Sequence, residues 1–235
     1  MAQANEQVRG TGAESLRAML ESVLLVVIFS LAFAYIEAAV VVYLRVIFHP
    51  DGFSFPLTNF GADPRWKQLL LTEMGREGAT LVLLLSVVQL LGRSRRQRFA
   101  LFLAIFGMWD IFFYFWLKVI IDWPVSLMDW DVLFLIPVTW AGPVLAPVLV
   151  SAALIALAVI ILSRSYTGRP LNPSRTDWMG FVLCAITVVV SFCVAGLHIT
   201  EQDFEGYFHW PLFGLGCVCG ITLFLKLLLR SKRPG

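Results

Sequence analysis

The chain reads as an all-α, polytopic integral membrane protein with about six transmembrane helices and both termini on the cytoplasmic side. Three observations lead there. Hydrophobic residues fill 59% of 235 positions and charged residues 14%, where a soluble domain carries roughly 25% charged residues. Mean hydropathy is +0.80. The apolar residues gather into runs long enough to cross a hydrocarbon core of about 30 Å, which takes about 20 helical residues.

Six runs qualify, and together they make residues 1–235 a single transmembrane domain. They cover roughly 20–47, 68–91, 99–121, 132–163, 179–199 and 209–229. The first follows a polar N-terminal segment containing Glu6 and Glu14. That segment does not read as a cleavable signal peptide, because the apolar run is too long for one and no small-residue cleavage site ends it. The second opens "LLLTEMGREGATLVLLL" and carries Glu73, Arg76 and Glu77. The third holds "GMWDIFFYFWLK", with Asp110, Tyr114 and Lys118. The fourth is longer than a span requires and contains Pro137, Pro143 and Pro147. Each proline removes a helix donor, so the start of this run is expected to be bent or broken. The fifth ends at "AGLHIT", and the sixth carries Gly214, Gly216 and Gly220, small residues that favour close helix packing.

Orientation follows from the basic residues. The N-terminal segment, "GRSRRQR", "SRSYTGRPLNPSRTD" and the C-terminal end together hold thirteen of the 18 lysines and arginines. The three intervening loops hold Arg65 and Lys67 alone, with Arg45, Arg76 and Lys118 in or near spans. These loops are instead acidic, with Asp51, Asp63, Asp122, Asp129, Asp131, Glu201, Asp203 and Glu205 in or beside them. The expected setting is a bacterial-type inner membrane, with the acidic loops in the periplasm. Trp66, Trp116, Trp123, Trp130 and Trp210 are placed near the outer interface, as an aromatic belt would be.

With that orientation Glu37, Glu73, Arg76 and Glu77 fall in the outer halves of their helices, and Asp110 falls near the middle. A charge at the bilayer centre costs about 2.5–3.5 kcal/mol on insertion scales, so these groups need partners. Residues three and four apart share a helix face. Glu73, Arg76 and Glu77 therefore form one patch, and Asp110, Tyr114 and Lys118 form a stripe. Convergence of these faces with Glu37 gives a candidate ligand- or ion-binding set: Glu37, Glu73, Arg76, Glu77, Asp110, Tyr114 and Lys118. One version of the site is a metal centre of Glu37, Glu73, Glu77, Asp110 and His198, a donor set that suits Fe, Mn or Zn. Against it, Glu-x-x-Arg-Glu stands where di-iron bundles carry Glu-x-x-His. The other versions are a pocket for an anionic or amphiphilic ligand anchored by Arg76, and a proton or cation relay. A closed ion-pair lattice that fixes helix register is the competing structural reading, with Lys118 paired to Asp110 or Asp122.

Other chemistry finds little support. His49, His198 and His209 lie on different segments, which argues against a bis-histidine haem. Cys184, Cys193, Cys217 and Cys219 lie inside apolar runs without zinc-site spacing. No phosphate loop, nucleophile elbow, dinucleotide fingerprint or lipidation motif is present. No basic patch interleaved with exposed aromatics suggests nucleic acid. The expected partners are the bilayer and other membrane subunits. Two function classes remain: a membrane-embedded transport, binding or catalytic protein with a periplasm-facing carboxylate/Arg site, and a non-catalytic anchoring or scaffolding subunit. Whether the protein is an enzyme, and which cofactor it uses, are left open by the sequence.

Overall fold

The computed structural model describes the backbone of residues 2–50, 52–57 and 65–231, with side chains from 23 onward except 65 and 66. The expectations for Glu6, Glu14, Asp51, Asp63 and the side chains of Arg65 and Trp66 lie outside the described residues. Six long helices dominate: α1 (Ala2–Phe48), α2 (Arg65–Leu91), α3 (Arg95–Ile121), α4 (Leu145–Tyr166), α5 (Arg175–Gly196) and α6 (Trp210–Arg230). Each contains a segment long and apolar enough to cross a membrane. The chain is thus a multi-pass, all-α membrane protein.

The helix ends follow local chemistry. Ser94 caps α3, its hydroxyl accepting from the Gln97 N–H. At the other end Asp122 takes a left-handed conformation (φ 53°) and returns its N–H to the Lys118 carbonyl, a closure that spares the last turn an orphan acceptor. Ser174 and Asp177 form a reciprocal capping box at the start of α5. Asp177 also pairs with Arg230, which ties the beginning of α5 to the end of α6.

The fourth expected span is where the structure departs from the sequence reading. Helix α4 begins at Leu145, and residues 130–143 form an antiparallel hairpin of β1 (Trp130–Phe134) and β2 (Trp140–Pro143). The register pairs Trp130 with Pro143, Asp131 with Gly142, Val132 with Ala141 and Phe134 with Trp140, with an irregularity between Val132 and Phe134. Non-helical backbone in a membrane protein is tolerated where protein covers it, and β2 is so covered at Ala141, Gly142 and Pro143, while Pro137 and Val138 in the turn are exposed. Its apolar residues join a core of Leu57, Phe192, Ala195, Phe204, Phe208 and Phe213. Gly196 makes the seat possible: a Cβ there would come within 1.9 Å of the Thr139 carbonyl oxygen.

A second core joins α1, α2 and α3 through Val26, Phe33, Leu84, Val88, Leu101 and Ile105. Helix α3 is the hub, packed on α1 and α2 as well as on α4, and Gly107 lets α4 approach to where a Cβ would lie 2.6 Å from the Ser151 carbonyl oxygen. Helix α2 touches this assembly along a narrow line, buried at Leu84 and Val88. Its other half meets α1 and the hairpin through charged side chains, and that is where the site lies.

Candidate functional site

A cavity of about 170 Å³ opens at the end of the bundle that carries the hairpin. It is walled by α1 from Glu37 to Phe48 and His49 just beyond it, by α2 from Leu69 to Thr80, by α3 at Trp109, Asp110, Phe113 and Tyr114, and by β1 with its turn. Five carboxylates line it (Glu37, Glu73, Glu77, Asp110 and Asp131) against two guanidinium groups, Arg45 and Arg76. The apolar part of the wall includes Val41, Phe53, Trp109, Phe113 and Phe134. The volume exceeds the roughly 10–15 Å³ needed for one water. It falls below the roughly 300 Å³ of a typical drug-sized pocket.

Arg76 is the centre of one cluster. It pairs with Glu37 of α1 and, through Nε at 2.7 Å, with Glu73 one turn earlier on its own helix. The other Glu37 oxygen accepts from the Thr80 hydroxyl at 2.9 Å. Glu37 and Glu73 are both buried, so Arg76 bridges two acids with one positive charge and leaves the trio one negative charge in excess.

Arg45 is the centre of a second cluster, more deeply buried than the first. Its Nη2 donates to Asp131 at 3.1 Å. Its guanidinium lies over the rings of both Trp123, 3.8 Å from the centroid, and Phe53, at 4.1 Å, which meet each other edge to face. Weakly hydrated guanidinium suits such a desolvated, aromatic setting better than lysine does. Tyr114, also in the cavity wall, is buried beside this pair. Beside this cluster, partial burial and the Arg45 charge push the His49 imidazole below its usual range.

Two acids make no direct ion pair with either arginine. Both Glu77 oxygens receive the backbone N–H of Leu135, at 2.9 and 3.0 Å. This bond fastens α2 to the hairpin turn, where a two-stranded sheet leaves donors without ladder partners. Asp110 accepts from the Ser151 hydroxyl of α4 at 2.8 Å. Neither Glu77 nor Asp110 has a cationic partner within ion-pair distance among the described residues.

The sequence-derived set thus divides. Glu37, Glu73, Arg76, Glu77, Asp110 and Tyr114 all line the cavity. Lys118 does not. It is half exposed and pairs with Asp122 at 2.7 Å, one turn on. His198 also lies elsewhere, its Nδ1–H donating to the Val194 carbonyl and its ring stacked 3.7 Å from that of Tyr207. Among the described residues no three His, Cys, Asp or Glu side chains are grouped so as to hold a metal ion. Sequence reasoning left Asp131, Arg45, Thr80 and Ser151 out of the site. Arg45 carried a usable signal, a lone arginine at the end of an apolar helix. Asp131 looked like a loop acid because the hairpin was hidden in an apolar run.

No protein-family model, curated protein or solved structure matches the chain.

Proposed function

We propose that the protein is a multi-pass inner-membrane protein that takes a proton or a small cation into this cavity from the periplasmic side, as the binding step of transport or of membrane-embedded chemistry. One observation carries the reading. Five acids and two arginines share the cavity, and Glu77 and Asp110 have only neutral donors for partners. A proton or a small amine is the species that would relieve this imbalance, and the modest volume favours a species of that size. Intramembrane acids that face a cavity are the usual lining of such pathways. The periplasmic opening rests on the cytoplasmic excess of lysine and arginine.

Infrared difference spectroscopy of the reconstituted protein tests the reading, since the carboxyl C=O band reports protonation directly. Lowering the pH should raise that band, and methylammonium should suppress the rise. Asp110→Asn and Glu77→Gln should each remove part of the band while folded yield stays near wild type. A spectrum indifferent to both pH and methylammonium would overturn the proposal.

A second reading has its own support. Arg76 closes Glu37 and Glu73 into a lock, and Glu77 is spent on the Leu135 N–H. On that reading the charges set helix register in an anchoring subunit. Purification of the tagged protein from its native membrane in mild detergent separates the two: stoichiometric partners favour the subunit, and a chain that purifies alone argues against it.

A further inference from the structure

At the opposite end of the bundle, a groove of about 530 Å³ runs between the end of α2 and the start of α3. Leu85, Val88, Gln89, Phe99 and Phe102 line it together with Arg95 and Arg98 in the first turn of α3. We propose that this groove is a binding site for one anionic phospholipid, with the headgroup phosphate on the two arginines and an acyl chain laid along the apolar floor. The proposal is independent of the function assigned to the cavity.

Charge complementarity is the first argument. Between Glu77 and Asp110 the sequence contains four arginines and no Asp or Glu. Arg95 is exposed and has no hydrogen-bond or ion-pair partner among the described residues. Arg98 lies across Gly92 and donates from Nε to the Gly92 carbonyl at 2.9 Å. That bond ties the stem of Arg98 to the end of α2 and uses its Nε, and the two outer nitrogens make no hydrogen bond among the described residues. The nearest acid of α5, Asp177, is taken by Ser174 and Arg230.

Geometry is the second argument. From Arg95 to Phe102 the helix advances about 10 Å, so the arginines sit at headgroup level when Phe102 lies in the acyl region. Leu85 and Phe99 are both substantially exposed, and an acyl chain is the natural cover for such a surface. A guanidinium fork holds phosphate in two-point fashion, and a basic residue near an anionic headgroup strengthens binding about fivefold.

The test is native mass spectrometry of the delipidated protein, titrated with phosphatidylglycerol and phosphatidylcholine of the same acyl chains. Wild type should retain one phosphatidylglycerol in preference to phosphatidylcholine. Arg95→Gln should weaken that binding about fivefold, and Arg95→Gln with Arg98→Gln should abolish the preference. Phe102→Trp, which narrows the floor without altering charge, should weaken both lipids and needs no loss of the Arg98 tie. Arg93→Gln with Arg96→Gln removes as much charge outside the groove and should leave the preference intact. Equal loss in the two double variants would assign the effect to general surface charge and overturn the site. So would competition by inorganic phosphate as effective as that of the lipid, or unchanged binding in Phe102→Trp.

Discussion

The two ends of the α1–α2–α3 unit are held together by different physics. Toward Leu84, Val88, Leu101 and Ile105 the contact is almost wholly apolar, and the buried Ser30 hydroxyl reaches the carbonyls of Val26 on its own helix and of Ile105 on α3. Toward Glu37, Arg76 and Glu77 the same helices meet through charges, with a hairpin standing in for a fourth wall. Apolar packing tolerates change in proportion to the volume removed. Buried charge does not, because each group depends on a particular partner. The polar end is therefore less forgiving than the apolar end, and it is where a ligand can compete for partners.

The largest expected effect comes from removing the hub of the polar end. Arg76→Ala strands Glu37 and Glu73 and should destabilise by about 3–5 kcal/mol, read as a loss of folded yield and a shifted unfolding midpoint in mixed micelles. Leu84→Ala at the apolar end should cost about 2–4 kcal/mol by cavity formation and leave pH sensitivity untouched. The two sites lie about 12 Å apart along α2, so the double variant should be additive within about 0.5 kcal/mol. A clear departure from additivity would mean that the ends are not separate units. Ser151→Ala, which takes the one hydroxyl from Asp110, should cost about 1 kcal/mol and move the carboxyl infrared band. Lys118→Gln should change stability by less than about 1 kcal/mol, as an exposed pair does, and leave the band in place.

The six spans were legible because hydropathy and length suffice for a helix that faces lipid. The polar face of α2 was legible for a similar reason: i, i+3 and i+4 spacing places Glu73, Arg76 and Glu77 together whatever surrounds them. The hairpin was not. Residues 132–144 are as apolar as a span, and an apolar run covered by protein reads the same as one covered by lipid. Pro137 and Pro143 marked the stretch as irregular without saying that it turns back on itself. Because the hairpin was hidden, so was Asp131, the partner of Arg45. The partner of Glu77 was hidden for a further reason, since a backbone N–H leaves no trace in residue identity.

The seat of the hairpin also implies an order of assembly. One side of it is bound by Glu77 of α2, which precedes it, and the other rests on Gly196 of α5, which follows. During synthesis the hairpin therefore emerges before its second wall exists. Its seat is complete only with α5 in place, so the cavity wall that the hairpin supplies depends on a helix that itself lines no part of the cavity.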